Sequence, residues 1–235
     1  MRRTWHSGTL DATYHLPSSL LRKHTNLLGK SCNTDDPLPK VDIDASPDTF
    51  SDFVDWLYRG PEVIRIYRLP YDVNSYRHLW ELADRLQAEE LRNQMLDNLQ
   101  NLPFDDNFIS ILRSFGIARM GTTALVDYVC DKLAYEIVEK GWAQFIQVGG
   151  KSWDDMMRTP IYCAPLTKRV MEKLDGAYIL KEQGTLEDPA TQMTCKWHEH
   201  TKKSKLECPR YQPEPPRKKA KAVAAEWIQL DDASE

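Results

Sequence analysis

Cys195-Lys196-Trp197-His198-Glu199-His200, followed by Cys208-Pro209, gathers two thiols and two imidazoles in one short stretch. Thiolate sulfur and imidazole nitrogen are the donors zinc prefers, and four of them close a tetrahedral structural site. A chain segment that is poor in apolar residues gains order by holding such an ion. Cys195, His198, His200 and Cys208 are therefore the candidate metal ligands. Their spacing differs from that of a standard finger, because His198 and His200 stand two apart. The plain alternative is a polar surface segment that happens to carry histidines.

A second chemical feature lies just beyond. Pro215-Pro216-Arg217-Lys218-Lys219-Ala220-Lys221 is a compact basic run that its prolines keep extended. Arg217, Lys218, Lys219 and Lys221 fit the acidic groove of an import receptor, which predicts a nuclear location; a solvated charge run is the bland reading. Few aromatics interleave with these charges, which argues against nucleic acid as the ligand. A zinc-dependent nucleic-acid binder acting through 195–221 is kept as a rival reading. Trp227-Ile228-Gln229-Leu230 could add as a strand to a partner's sheet, and otherwise reads as a frayed end.

The remaining candidates for chemistry fall away. Gly149-Gly150-Lys151-Ser152 lacks the first glycine of a phosphate loop, since Phe145 stands in its place. His15, His24 and His78 lie in separate segments with no nucleophile partner evident. Asp52, Asp55, Glu81 and Asp84 read as the solvated side of helices. The expectation is a protein that is not an enzyme.

The elements that must position the Cys/His cluster can be read from the apolar pattern. The 235 residues carry 41% apolar and 28% charged side chains, enough for a real core. Net charge is −4, but Lys196–Lys221 holds nine Lys/Arg against three Glu, a balance of +6 that leaves −10 elsewhere. No apolar run approaches the roughly 18 residues that would span a bilayer. Five scattered cysteines and no apolar leader point to a reducing, intracellular setting. Cys130, among Val126, Tyr128, Val129 and Leu133, reads as a small buried hydrophobe.

Residues 4–16 read as a strand pair, 41–43 as a short strand, and Val63-Ile64-Arg65-Ile66-Tyr67 as another strand. Ser46-Pro47-Asp48 opens a helix whose face is Phe50, Phe53, Val54 and Leu57, and Gly60-Pro61 closes it. Leu79, Leu82, Ala83 and Leu86 mark a second, at about 75–87, and a third follows at 89–101. Beyond Pro103 come helices with Asp105 or Asp106 as a cap, a long stripe over 122–139, and shorter helices around Trp153 and after Pro165. From Gly184 on, apolar residues thin out, and the tail is expected to be mostly disordered unless a metal or partner orders it. The chain divides into 1–103, 104–183 and a tail, 184–235.

Three blocks carry a family likeness: Tyr14, Leu20-Leu21, Thr25 and Leu27-Leu28; Phe50-x-x-Phe53-x-x-Trp56-Leu57-Tyr58-x-Gly60; and Leu79-Trp80-x-Leu82-Ala83-Asp84-Arg85-Leu86 with Leu91-Arg92-Asn93. Over about residues 4–101 the chain resembles a BTB/POZ domain of the fungal type with a C-terminal helical extension. It departs from the pattern at Pro17, where a buried His is usual, and at Thr25, where Ser is usual. The resemblance implies an α+β fold: a small mixed β-sheet flanked by a helical cluster, then an all-α extension and a largely disordered basic tail. It also implies binding rather than catalysis, with a protein partner or a second copy docking around residues 4–28. Cys/His tails of fungal relatives add weight to structural zinc. A substrate adaptor of a cullin-type ubiquitin ligase is the alternative, although no second recognition module follows.

Overall fold

The computed structural model describes residues 2–7, 12–28, 41–65, 73–115, 123–158, 160–192, 195–200 and 208. The chain is mostly helical. Its elements in order are β1 (Arg2–Ser7), β2 (Ala12–Pro17), α1 (Ser18–His24), β3 (Val41–Ile43), α2 (Pro47–Arg59), α3 (Glu62–Arg65), α4 (Val73–Arg85), α5 (Glu89–Gln100), α6 (Asp106–Phe115), α7 (Ala124–Lys140), α8 (Trp142–Met157) and α9 (Pro160–Glu182).

This composition overturns the expected α+β fold with a small mixed sheet at its heart. The three strands lie side by side at one edge in the order β2-β1-β3, antiparallel then parallel. Among the described side chains they give only Leu16 and Ile43 to the buried apolar core; nearly all the rest comes from helices. The expected strand at Val63–Tyr67 is absent among its described residues, and helix α3 stands there instead. Val63 N–H donates to Gly60 O and Ile64 N–H to Pro61 O, so the chain turns straight out of Gly60-Pro61. A short β-branched apolar run is ambiguous between buried strand and buried helix, and both Val63 and Ile64 are buried.

Local signals set the helices that carry the core. Ser46 Oγ accepts from Thr49 N–H at 3.2 Å, Pro47 takes the first helical position, and Gly60 ends α2 at φ +70°. Phe50, Phe53 and Trp56 of α2 pack on α4, whose Tyr76, Leu79, Trp80, Leu82 and Ala83 are buried in return. Trp56 Nε1 donates to Gln94 Oε1 of α5 at 2.7 Å, and Tyr76 donates its hydroxyl to the Met95 carbonyl. Trp56 and Trp80 therefore share one core.

The later helices extend that core. Asp105 caps α6 by accepting from Phe108 N–H at 2.9 Å, and Asp106 accepts instead from Ser152 N–H of α8 at 3.0 Å. Phe145, fully buried, sits among Phe104, Trp142 and Trp153. The α7 helix is buried over most of its circumference, the charged Lys132 and Glu136 included, and packs against α9 and α8. Pro165 does not start a new helix, since α9 runs from Pro160 to Glu182 without a break. Among the described residues, no helix is long and apolar enough to cross a membrane.

Candidate metal centre

Residues 184–192, 195–200 and 208 are packed against the helices; the rest of the tail that was expected to be mostly disordered lies outside the described residues. Gly184, at φ +66°, closes α9, and Thr185 N–H returns to Leu180 O at 2.9 Å. Asp188 then forms a turn, its Oδ1 accepting from Ala190 N–H at 2.8 Å. The same carboxylate takes Lys132 Nζ of α7 at 2.7 and 2.8 Å. Lys132 and its other partner, Glu136, are both buried. Cys195 and Trp197 are buried as well, and Trp197 belongs to the main core, its ring edge-on to Tyr128. A buried indole of this size supplies much of the apolar contact that holds the segment against α7.

Asp131 of α7 is the anchor on that side. Its carboxylate accepts from Trp197 Nε1 at 3.0 Å and pairs with Lys196 at 2.8 Å and Lys173 of α9 at 3.1 Å. Burial pushes its carboxyl upward, but the hydrogen bonds from Lys196, Lys173 and Trp197 outweigh that and hold it below the usual carboxylate range.

Helix α5 supplies the anchor on the other side. Asn93 pairs with the Glu199 main chain in both directions, at 2.9 and 3.0 Å. Arg92 joins the Glu199 and Asp84 side chains. Burial, reinforced by Asp84 and Glu89, raises the Glu199 carboxyl despite Arg92. Asp97, one turn on from Asn93, meets His198 Nε2 at 2.8 Å, while His198 Nδ1 lies 3.2 Å from Cys208 Sγ. Burial pushes the His198 imidazole down, and the bonds to Asp97 and Cys208 more than reverse it, so it is raised.

Between these anchors three of the four predicted ligands converge, while His198 lies outside their group. One ligand atom each from Cys195, His200 and Cys208 lies within 4.8 Å of the others. Neither cysteine is in a disulfide. Donors around tetrahedral zinc stand about 3.3–3.8 Å apart by its bond lengths, so a small inward movement would close the set. The rings of His198 and His200 lie 6.2 Å apart, at 57° to each other. Sulfur and nitrogen donors at this spacing, with Cys195 buried and His200 and Cys208 partly so, suit zinc in a structural role better than a hard cation.

Other predicted features fall elsewhere. Arg217, Lys218, Lys219 and Lys221 lie outside the described residues, as does the Trp227–Leu230 segment. Cys130 is buried, and burial raises its thiol to about 11, in keeping with an inert core cysteine. His24 stands against Trp56 and 3.3 Å from Glu90. The residues that sequence reasoning missed are the anchors Arg92, Asn93, Asp97 and Asp131. They sit on helices 65 or more positions upstream, and no pattern in the chain ties them to the Cys/His stretch.

No family model, curated protein or solved structure matches this chain.

Proposed function

We propose that this protein is a non-catalytic interaction scaffold in which a structural zinc ion locks the segment 195–208 across helices α5 and α7. The convergence of Cys195, His200 and Cys208 carries the reading. Sites closed by four cysteine and histidine ligands serve folding, whereas catalytic zinc keeps a position open for substrate. The partner class rests on the resemblance of the stretches around Trp56 and Trp80 to a BTB/POZ domain, which favours another protein or a second copy. Met171, Tyr178 and Ile179 support it from the surface: they stand on one face of α9 and are 60, 52 and 54% exposed. The Arg217–Lys221 run supports a nuclear location.

Metal analysis of the full chain purified under reducing conditions tests the centre. One zinc per chain is expected, with loss in Cys195→Ser and Cys208→Ser. A wild-type chain without stoichiometric metal would remove it. Light scattering and affinity purification test the scaffold. Self-association or recurrent protein partners, weakened by Ile179→Asp, are expected. Co-purification with a cullin would favour the ligase adaptor, and salt-sensitive binding of nucleic acid would favour the rival class.

A further inference from the structure

His198 is held from two sides by groups of opposite kinds. A carboxylate on one ring nitrogen keeps the proton there and leaves the lone pair of the other nitrogen directed away. Asp97 Oδ1, at 2.8 Å, takes the Nε2 side. The Nδ1 lone pair is thereby aimed at Cys208 Sγ, 3.2 Å off, and Cys208 is itself a member of the Cys195/His200 group. A nitrogen and a sulfur that share a tetrahedral zinc stand about 3.5 Å apart. His198 Nδ1 already stands near that spacing from Cys208, and the imidazole must move inward toward Cys195 and His200 to complete the set.

We propose that His198 is the fourth ligand, bound through Nδ1, and that Asp97 on α5 is a positioning residue of the metal centre. This rests on the zinc reading above and carries it outside the Cys/His segment. A carboxylate behind a metal-bound imidazole fixes its tautomer and ring orientation and strengthens it as a donor. Because Asp97 belongs to the helix that also grips Glu199 through Asn93 and Arg92, metal binding and docking of the segment on α5 are one event. Each then favours the other by the same free energy.

Cobalt(II) and zinc binding to the full chain test this. The wild-type chain is expected to take one Co2+ with thiolate charge-transfer bands and the intense d–d bands of a four-coordinate ion. His198→Ala should keep the thiolate bands and lose d–d intensity as water enters. Asp97→Asn should keep both thiolates but bind zinc about 10- to 100-fold more weakly in chelator competition, with Asp97→Glu recovering part of the loss. Nitrogen-15 shifts of the zinc-loaded wild-type chain, which need no variant, should show His198 metal-bound at Nδ1 and protonated at Nε2. Coordination through Nε2, an unbound Nδ1, or an unchanged affinity in Asp97→Asn would overturn the proposal. A wild-type chain that takes up neither metal would instead mean failure of the zinc reading itself.

Discussion

Asn93 completes a two-way main-chain pairing with Glu199: its Oδ1 accepts from Glu199 N–H at 2.9 Å and its Nδ2 donates to Glu199 O at 3.0 Å. A side-chain amide has the donor and acceptor needed to stand in for a neighbouring strand. The two residues are 106 positions apart, so this contact closes a long loop between α5 and the Cys/His segment. Asn93→Ala leaves both main-chain groups of Glu199 without that partner, at a cost of about 1–3 kcal/mol. Amide exchange should speed up over 195–200 while α2 and α4 keep their protection. Unchanged exchange at Glu199 would refute the role given to Asn93.

Asp131 sets the acid limb of the same docking. Its carboxyl is held below its ordinary value, so it contributes stability at pH above that value and loses it as the pH falls through the depressed one. Lys196 and Lys173 are partly exposed, which tempers the gain through solvent screening. Asp131→Asn is expected to cost about 1–2 kcal/mol near neutral pH and to flatten the loss of stability below pH 4. Trp197 fluorescence followed on acidification, compared between the two chains, gives the readout. Identical acid transitions would count against it.

Lys132 is a buried cation between Glu136 at 2.8 Å and Asp188 at 2.7 Å. Removing one member of such a group leaves opposite charges stranded, at a cost of about 3–5 kcal/mol. Lys140 also reaches Glu136, so the stranded charge is only part of the loss. Lys132→Met should lower the denaturation midpoint sharply. Lys132→Met combined with Glu136→Leu should recover a good part of it, because the desolvated carboxylate is then gone as well. A double variant no better than the single one would mean that lost packing, not charge, dominates.

Gly150 has φ +50° inside α8, and a Cβ there would lie 3.1 Å from Asp106 Oδ1. That oxygen accepts from Ser152 N–H, so the glycine lets the helix bend around a carboxylate. Gly150→Ala is expected to cost about 1–3 kcal/mol and to shift the thermal midpoint downward. At ψ −145° this backbone lies outside the left-handed helical region that Asn tolerates, so Gly150→Asn should cost at least as much.

What could be read from the sequence follows from how local each signal is. Ser46, Pro47 and Gly60 mark α2 because caps act within a turn, and the Leu79/Leu82/Ala83/Leu86 spacing marks α4 because a helix repeats every 3.6 residues. The Cys/His stretch stood out because cysteine and histidine announce metal chemistry by type alone, and three of its four candidates, Cys195, His200 and Cys208, come together in the structure. The strand expected at Val63–Tyr67 failed over its described residues, 63–65, because five residues, four of them apolar, carry no period long enough to decide. The docking of residues 195–200 on the helices was not legible for a different reason. It comes from Trp197 in the core and from Asp131, Asn93 and Arg92, whose contacts span 65 to 107 residues and leave no trace in local composition.

The return of the Cys/His segment to α5 and α7 has a consequence for synthesis. While the ribosome is still making α9, Asn93, Asp97 and Asp131 have already emerged, but the groups they hold at 196–199 have not. Folding from the N-terminus can therefore assemble the helices early, yet it cannot finish them. A chain that stops short of Cys195 would display an unfilled slot beside Tyr128 and unmatched charges on two helices, a signature by which quality control could tell a prematurely ended product from a whole one.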